Sequence, residues 1–403
     1  MYCSITAPFV ALFLAVLFML SGGIASSAPY RPAGSEVVLE RLPLKRSDAR
    51  ATALAADRAR LARNPVDAGL ALNVAERYFE LAGEEGDPRY IGYAQAVLAP
   101  WAANLGAPRD ILFMRGKLLQ WRHEFKPALE LFDLVLRQQS DHYDALTWRS
   151  AVLTVLADYE GARRDCQTLR QKERELYWAS CLAYVDGLTG QAAPAEQRLA
   201  DLLARNPDAS AGTKLWLLTR LADLAARLNR SADADGYFKR ALALGVTSQY
   251  LLANYTDFLN DEGRYAEVVA LLREWTRSDV LLLRLTLAEQ ALRAPEFEAH
   301  AQALRDRFAA AALRGDTLHQ QEESRFLLQV ERDAKRAVNL AVANWTTQRE
   351  PYDARILLEA AVAARRPDLA QPVLDWLAKS RHEDPRLTAI ADALKVTPRV
   401  GKP

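Results

Sequence analysis

Beyond residue 46, stretches in which apolar residues return every three or four positions alternate with short polar or Gly/Pro-containing breaks. This spacing places the apolar residues on one face of an α-helix. The first stretch runs from Ser47, which can cap a helix, to about Arg63, and the pair Asn64-Pro65 ends it. Alanine, leucine and arginine dominate the composition, and all three favour helix. The pattern therefore predicts an all-α chain.

A set of four small or apolar residues recurs in the middle of the chain, with successive offsets of 12, 4 and 3 positions. Four sets share these offsets: Gly116, Ala128, Phe132 and Val135; Ser150, Ala162, Cys166 and Leu169; Ala222, Ala234, Phe238 and Ala241; Thr256, Val268, Leu272 and Trp275. The first two sets are 34 residues apart, as are the last two. Two small residues let antiparallel helices approach closely, and the residue one turn later fills the space beside them. Helical hairpins are therefore predicted to begin near Arg109, Tyr143, Leu215 and Gln249.

The second and third sets are separated by 72 residues, which is two periods plus four. A further hairpin at 177–214 fills this gap. We expect its four additional residues in a slightly long turn between its helices, from Leu188 to Pro194.

A 34-residue helix-turn-helix period with small, small, aromatic and small positions resembles the tetratricopeptide repeat (TPR). The segment from Asn254 to Trp275 matches best, because Gly263, Arg264 and Tyr265 look like the family's Gly-x-Tyr turn. The resemblance implies a right-handed α-solenoid of TPR-like helix-turn-helix repeats. Another helical array or a helical bundle is the alternative, and the recurring period favours the TPR-like solenoid.

This interpretation divides the chain into six parts: a signal peptide at 1–28, an extended linker or arm at 29–46, N-terminal helices with a degenerate repeat at 47–108, TPR-like repeats at 109–277, degenerate C-terminal helical repeats at 278–394, and a disordered tail at 395–403. The N-terminal degenerate hairpin, 64–107, is expected to have a long turn at Gly83–Pro88.

The first 28 residues have the pattern of a secretory signal. An unbroken apolar run of 12 residues, Phe9–Leu20, is followed by the small-residue stretch Ser21–Ala28. The segment Met1–Pro8 lacks the usual Lys or Arg. Cleavage predicts a periplasmic or secreted protein with no membrane span, and an uncleaved anchor is the alternative. The apolar run is short for a bilayer span, which favours cleavage.

The charge balance limits the classes of binding partner, and the cysteines bear on the cellular compartment. The formal net charge is +1, from 52 basic and 51 acidic residues, so nothing suggests nucleic acid or an anionic membrane as partner. Signal removal takes Cys3 with it and leaves Cys166 and Cys181. In an oxidising compartment this pair invites a disulfide. Two buried free thiols at helix-packing positions are the alternative.

No arrangement of residues indicates catalysis. The five histidines are scattered, and neither a zinc motif, a phosphate-binding loop nor a Gly-x-Ser-x-Gly elbow is present. His319 shares a helical face with Glu322 and Glu323, but solvated polar residues at a helix start explain this more simply than a metal does. We therefore predict no catalytic residue, no metal and no cofactor.

The TPR resemblance also implies that the first helix of each repeat lines a concave groove. The groove residues carried over in this way are Asp110, Phe113, Lys117, Tyr177, Tyr184, Trp216, Asp223, Tyr250, Asp257 and Asn260. This aromatic and acidic set favours a basic or hydrogen-bond-donating protein or peptide. Lys117 stands among acids, unlike the family's clamp for C-terminal carboxylates. The alternative is that several of these aromatic side chains pack between repeats.

The first functional hypothesis is an exported scaffold that holds a protein or peptide segment in its groove. Envelope assembly or polymer export is a more specific version, by analogy with exported TPR proteins. The second hypothesis is an enzyme or enzyme subunit whose active site is assembled only by folding. A structural spacer without a groove partner is the third.

Overall fold

A computed structural model of the protein describes residue 37 and residues 49–85, 87–170, 175–246 and 248–396. All of these except Val37 belong to one compact unit, Arg46–Pro403. The predicted signal peptide at 1–28, the linker at 29–46 apart from Val37, and the tail beyond 396 lie outside the described residues.

The described part is helical and contains no β-strand. Its α-helices are α1 (Ala49–Arg63), α2 (Ala68–Glu85), α3 (Arg89–Val97), α4 (Arg109–Trp121), α5 (Phe125–Gln138), α6 (Tyr143–Val155), α7 (Tyr159–Leu169), α8 (Glu175–Leu188), α9 (Ala192–Arg205), α10 (Ala211–Arg227), α11 (Ser231–Leu242), α12 (Gln249–Asp261), α13 (Tyr265–Leu272), α14 (Asp279–Leu292), α15 (Phe297–Arg314), α16 (Gln320–Gln329), α17 (Ala334–Thr347), α18 (Pro351–Ala363), α19 (Gln371–Ser380) and α20 (Pro385–Val396). Two short 3-10 helices, Ala99–Trp101 and Pro367–Ala370, follow α3 and α18.

Helices α2 to α19 form nine consecutive hairpins, and the all-α solenoid prediction is confirmed. The first helix of each hairpin contacts the first helix of the next, from α2 through α18, and α18 contacts α20. The second helices make no comparably extensive contacts with one another. First helices therefore form the inner, concave layer of the solenoid, as the groove prediction requires.

The five hairpins between Arg109 and Leu272 share one turn geometry. Each turns through three residues, and the backbone of the middle residue is left-handed. These middle residues are His123, Ala157, Gly190, Asn229 and Gly263, with φ between 58° and 79°. Glycine adopts this conformation without steric cost, which explains Gly190 and Gly263. The predicted turn at Gly263 is thus confirmed.

Small residues occupy the close-packed positions for a visible steric reason. A Cβ on Gly116 would lie 2.5 Å from Cε1 of Phe132, which is fully buried. Ala128 beside them is also fully buried. The aromatic ring thus takes the space that the missing side chain leaves, as the repeat pattern predicts.

The fourth hairpin, α8–α9, corrects one expectation. Its turn has three residues, 189–191, and Pro194 lies inside α9. The long turn from Leu188 to Pro194 is therefore wrong. The buried residues of this hairpin follow the same offsets of 12, 4 and 3 positions as the other sets; they are Ala183, Ala195, Leu199 and Leu202. The four extra residues lie instead in α10, the first helix of the next hairpin, which has 17 residues where α12 has 13.

Two smaller differences concern helix ends. The long turn predicted at Gly83–Pro88 is wrong because α2 continues to Glu85. The last helix, α20, ends at Val396, two residues inside the segment predicted as tail. Spacing alone places helix ends poorly.

The C-terminal helices return to the early hairpins. The backbone N–H of Arg349 donates to the carbonyl of Val155 (2.8 Å). The indole N–H of Trp376 donates to the hydroxyl of Tyr159 (3.0 Å). Helix α12 likewise contacts α2. The solenoid thus curves back on itself, and residues about 200 positions apart become neighbours.

His382 is one of the residues that connect the two ends. Its Nδ1–H donates to the carbonyl of Leu188 (3.3 Å), its ring lies 5.0 Å from that of Trp376, and it is buried. Burial lowers the pKa of His382 to about 4; Arg227 lowers it too, whereas Asp223 and Asp384 oppose this.

The pKa of His382 is near 6.5 in the unfolded chain and about 4 in the folded protein. The contribution of this histidine to the free energy of unfolding is therefore fully present above pH 6.5 and decreases below it. We expect this one group to lower the free energy of unfolding by about 2 kcal/mol between pH 7 and pH 5. Urea denaturation at both values should show a smaller loss for His382→Gln. Parallel pH profiles for the two proteins would contradict the buried, neutral histidine.

Candidate functional site

The predicted groove residues all lie on first helices, but the structure divides them into two groups. Asp223, Asp257 and Asn260 interact with residues of later helices. Tyr184, Trp216 and Tyr250 pack around Arg220 of α10. Asp110 and Tyr177 stay exposed at the surface, and Phe113 and Lys117 are half-buried. The concave face is therefore partly filled by the chain itself.

Asp257 corrects the simple groove prediction. Its carboxylate accepts hydrogen bonds from Arg284 (2.9 and 2.5 Å) and from Arg325 (2.6 Å). All three residues are buried, at 7%, 5% and 4% exposure. Burial alone raises the pKa of Asp257, but the two arginines outweigh it and hold the pKa below its usual value. Asp257 is thus a buried counter-ion and not an exposed site for a partner.

Two neighbouring residues on α12 also form hydrogen bonds with residues of later helices. The Asn260 side-chain amide donates to the carbonyl of Arg284 (3.3 Å). Asp261 accepts two hydrogen bonds from Arg355 (2.6 and 2.8 Å) and one from Arg386 (2.8 Å). These contacts tie α12 to α18 and α20. The acidic residues of α12, a helix that was expected to bind a basic partner, are thus paired with arginines of the same chain.

Three predicted aromatic residues, Tyr184, Trp216 and Tyr250, converge on Arg220. Its guanidinium carbon lies 4.0, 5.6 and 5.0 Å from the respective ring centroids. Its Nη1 also donates to the Tyr250 hydroxyl (2.5 Å). Tyr184 and Trp216 meet edge to face between adjacent hairpins at 6.1 Å. Tyr184 and Trp216 therefore pack between repeats, as the alternative prediction stated.

Asp223 lies one turn from Arg220, and its carboxylate accepts a hydrogen bond from Arg227 (3.1 Å). Burial raises the pKa of Asp223, but Arg227 and Arg220 lower it by more, so the group stays ionised. Glu350 is close enough to interact with both Arg220 and Asp223, and burial raises its pKa. The acidic and basic side chains of this cluster therefore largely neutralise one another.

The N-terminal first helices present a different surface. Lys117 lies 4.5 Å from the ring centroid of Phe79, 5.8 Å from Phe113 and 5.4 Å from Trp148. Burial lowers the pKa of Lys117, although nearby carboxylates partly oppose this. The ammonium group is thus held against aromatic rings and cannot readily reach a separate ligand.

The carboxylates near Lys117 are Glu76, Glu80 and Asp144, and all three are exposed. We call these three residues the N-terminal acidic face. Tyr177 lies beyond it with 40% of its surface exposed, and its ring meets that of Tyr143 at 5.3 Å. Asp110 is exposed as well and pairs with Arg109 (3.1 Å). One cation among three acids leaves this face net negative.

Cys166 and Cys181 form a disulfide, with their Cα atoms 5.6 Å apart. Cys166 is fully buried at the position that Phe132 and Phe238 occupy in other hairpins. The bridge joins α7 to α8 and so links two successive hairpins. A covalent connection takes the place of the aromatic packing found elsewhere.

Several residues of these clusters were missed from the sequence. Arg220 follows Trp216 by four positions on one helical face, a local signal that was available. Arg284 and Arg325 gave no such signal, because they are 27 and 68 positions from Asp257. Glu350 is 127 positions from Asp223. Only the curvature of the solenoid brings these residues together.

The described residues include no group of three or more His, Cys, Asp or Glu side chains arranged to hold a metal. His319 pairs with Glu322 alone, at 3.7 Å. None of the helices in the described ranges has both the length and the apolar character needed to cross a bilayer.

Comparison with known proteins shows low similarity to several solved structures. A tetratricopeptide repeat protein from Parabacteroides merdae ATCC 43184 has 17% identity and a TM-score of 0.41, over 64% of this chain and 91% of that one. The APC/C hetero-tetramer Cut9-Hcn1 has 12% identity and a TM-score of 0.46, over 82% and 64%. A monomeric mutant of IFIT1 with m7Gppp-AAAA has 12% identity and a TM-score of 0.42, over 86% of each chain. No protein-family model and no curated protein sequence matches this chain.

Because these TM-scores are below 0.5, the type of repeat is decided by the hairpins themselves. Five successive hairpins have three-residue turns with a left-handed middle residue. Their small and bulky positions recur with the same offsets and, apart from the half-buried Trp275, are buried. First helices form the inner layer throughout. By this geometry the described chain is an α-solenoid of helix-turn-helix hairpins that resemble tetratricopeptide repeats in spacing and turn.

Proposed function

We propose that this protein is an exported interaction scaffold that holds a basic segment of a protein or peptide. The observation that carries the proposal is the N-terminal acidic face, Glu76, Glu80 and Asp144, on the first helices of the solenoid. The other half of the concave layer uses its carboxylates internally. The binding surface is therefore placed at the first four hairpins, with Tyr177 as an aromatic contact beside it.

Electrostatics and packing support this choice. The three carboxylates lie around an ammonium group that is already engaged with Phe79, Phe113 and Trp148. Their attraction for a further cation is therefore only partly satisfied. Aromatic side chains such as Tyr177 provide contact area at little cost in conformational entropy. A segment containing Lys or Arg matches both features.

Export is supported by two features. The apolar run Phe9–Leu20 with its small-residue continuation has signal-peptide character. The disulfide between Cys166 and Cys181 is a bond that persists in oxidising compartments such as the periplasm or the exterior. We infer a periplasmic or secreted location, and envelope assembly or polymer export as the setting by analogy.

The binding proposal predicts a charge-selective interaction. A fluorescein-labelled peptide of alternating Arg and Ala should bind the full chain, and its Glu–Ala counterpart should not. Because three carboxylates are lost, Glu76→Gln/Glu80→Gln/Asp144→Asn should weaken binding by about tenfold at low salt. Tyr177→Ala should weaken it further. Fluorescence anisotropy measures each affinity.

The matched control removes the same charges from second helices, with Glu130→Gln/Asp201→Asn/Glu298→Gln. All three control residues are exposed on α5, α9 and α15. Equal weakening by the two triple variants would reduce the effect to net charge and refute a specific face. Unchanged affinity in the first variant would refute the proposed function.

A further inference from the structure

The curvature of the solenoid creates a cleft that is separate from the concave face. It lies where the turns of the third and fourth hairpins meet α17, α18 and α19, and its volume is about 770 Å³. We call it the closure cleft. Its walls come from residues in 157–163, 189–191 and 342–381, which are far apart in sequence. A volume of this size is typical of sites for small organic molecules.

The floor of the closure cleft is aromatic and apolar. Trp345 and Trp376 meet edge to face at 5.7 Å, and Trp376 is hydrogen-bonded to Tyr159. Val342 and Leu357 extend the same surface. Indole and phenol rings present flat faces on which a ring of a ligand can pack.

The rim carries cations that have no carboxylate partner among the described residues. They are Arg349, Lys379 and Arg381, and all are exposed. The Nε–H of Arg349 donates a long hydrogen bond to the carbonyl of Trp345 (3.4 Å). The fourth basic residue, Arg163, differs because it is paired with Asp186.

Two of the three acidic side chains of the cleft accept hydrogen bonds from neutral donors, which leave their charge in place. Asp158 accepts from the N–H of Gly161 (2.9 Å) and so caps α7. Asp375 accepts from the side chain of Gln371 (2.8 Å). Glu160 is the acidic lining residue without such a contact in the described part. On the side of the cleft formed by 342–381, three cations without a carboxylate partner among the described residues therefore face one carboxylate, Asp375, above an apolar floor. Asp158 and Glu160 carry negative charge on the opposite side.

We propose that the closure cleft binds a small organic anion that carries an apolar ring. The ring packs on Trp345, Trp376 and Tyr159, and the anionic group lies between Lys379, Arg381 and Arg349 at the rim. Charge-assisted hydrogen bonds from Arg and Lys to an anion are stronger than neutral ones. This site does not depend on the N-terminal acidic face, which has the opposite charge.

The probe for the test is 1-anilinonaphthalene-8-sulfonate, which combines fused rings with one sulfonate. Titration of the full chain, followed by dye fluorescence, should show one saturable site. Lys379→Gln/Arg381→Gln should raise the Kd about tenfold or more, and Glu160→Gln should lower it about twofold to threefold. These opposite shifts distinguish the cleft from general adsorption of the dye.

The matched control is Lys126→Gln/Arg137→Gln, which removes two exposed cations from α5. Its Kd should stay within about twofold of the original protein. Competition should succeed with 1-naphthalenesulfonate and fail with the neutral 2-naphthalenemethanol. Circular dichroism confirms that each variant is folded.

Three results would overturn the proposal. They are an unchanged Kd in the Lys379/Arg381 variant, an equal loss in the α5 control, and equal competition by the neutral compound. Retention of binding by Lys379→Arg, with loss in Lys379→Gln, would add support because the arginine preserves the charge.

Discussion

Replacing Asp257 with alanine is expected to lower the free energy of unfolding by about 3–5 kcal/mol, because two buried arginines then lose their counter-ion. Arg284 and Arg325 are almost completely excluded from water and each donates to this carboxylate. The cost of leaving a buried charge unpaired exceeds that of most surface changes. Chemical denaturation followed by circular dichroism measures the difference.

Two control proteins separate the buried network from a general effect. The variant Asp257→Leu/Arg284→Met/Arg325→Met removes all three charges together and should recover most of the lost stability. Asp110→Ala removes an exposed acidic residue and should cost less than about 1 kcal/mol. A loss below 1 kcal/mol for Asp257→Ala would show that its carboxylate is open to solvent, as the simple groove prediction had it.

Removal of the Cys166–Cys181 bridge is expected to lower the free energy of unfolding by about 3 kcal/mol. The bridge closes a loop with a sequence separation of 15 residues. A cross-link of this length restricts the unfolded chain by an amount of that order. The variant Cys166→Ala/Cys181→Ala should therefore unfold at lower denaturant concentration than the oxidised protein.

Reduction supplies the matched comparison for this bridge. A reducing agent should shift the unfolding midpoint of the original protein and leave that of the double variant unchanged. Peptide mapping of unreduced protein from cells should recover one linked pair containing Cys166 and Cys181, and N-terminal sequencing should begin near residue 26 or 29. Free thiols at both positions would contradict the bridge, and an intact Met1 would contradict signal cleavage.

The hairpins were accessible to prediction because their determinants are local. Small residues such as Gly116 and Ala128 are 12 positions apart and pack against each other's helices within one hairpin. The fourth hairpin shows the limit of this approach. Its set, beginning at Ala183, follows the same offsets but starts 33 positions after Ser150, so a strict 34-residue search passed over it.

The candidate site was predicted only in part. Tyr177 and Lys117, which lie beside the surface that we propose for binding, were predicted on first helices, whereas Glu76 and Glu80 were not among the predicted groove residues. Asp257 was placed correctly on the concave layer but assigned the wrong partner. Its arginines come from later hairpins, and no residue near it in sequence indicates them.

Local spacing was therefore sufficient to establish the helices, their pairing into hairpins and the face that each first helix turns inward. These features depend on contacts within about one repeat, whose energies are set by side chains close together in the chain. The curvature of the solenoid, the burial of Asp257 and the closure cleft at Trp376 depended on tertiary structure alone. Small rotations between successive hairpins add up along the chain, and their sum decides which distant side chains meet.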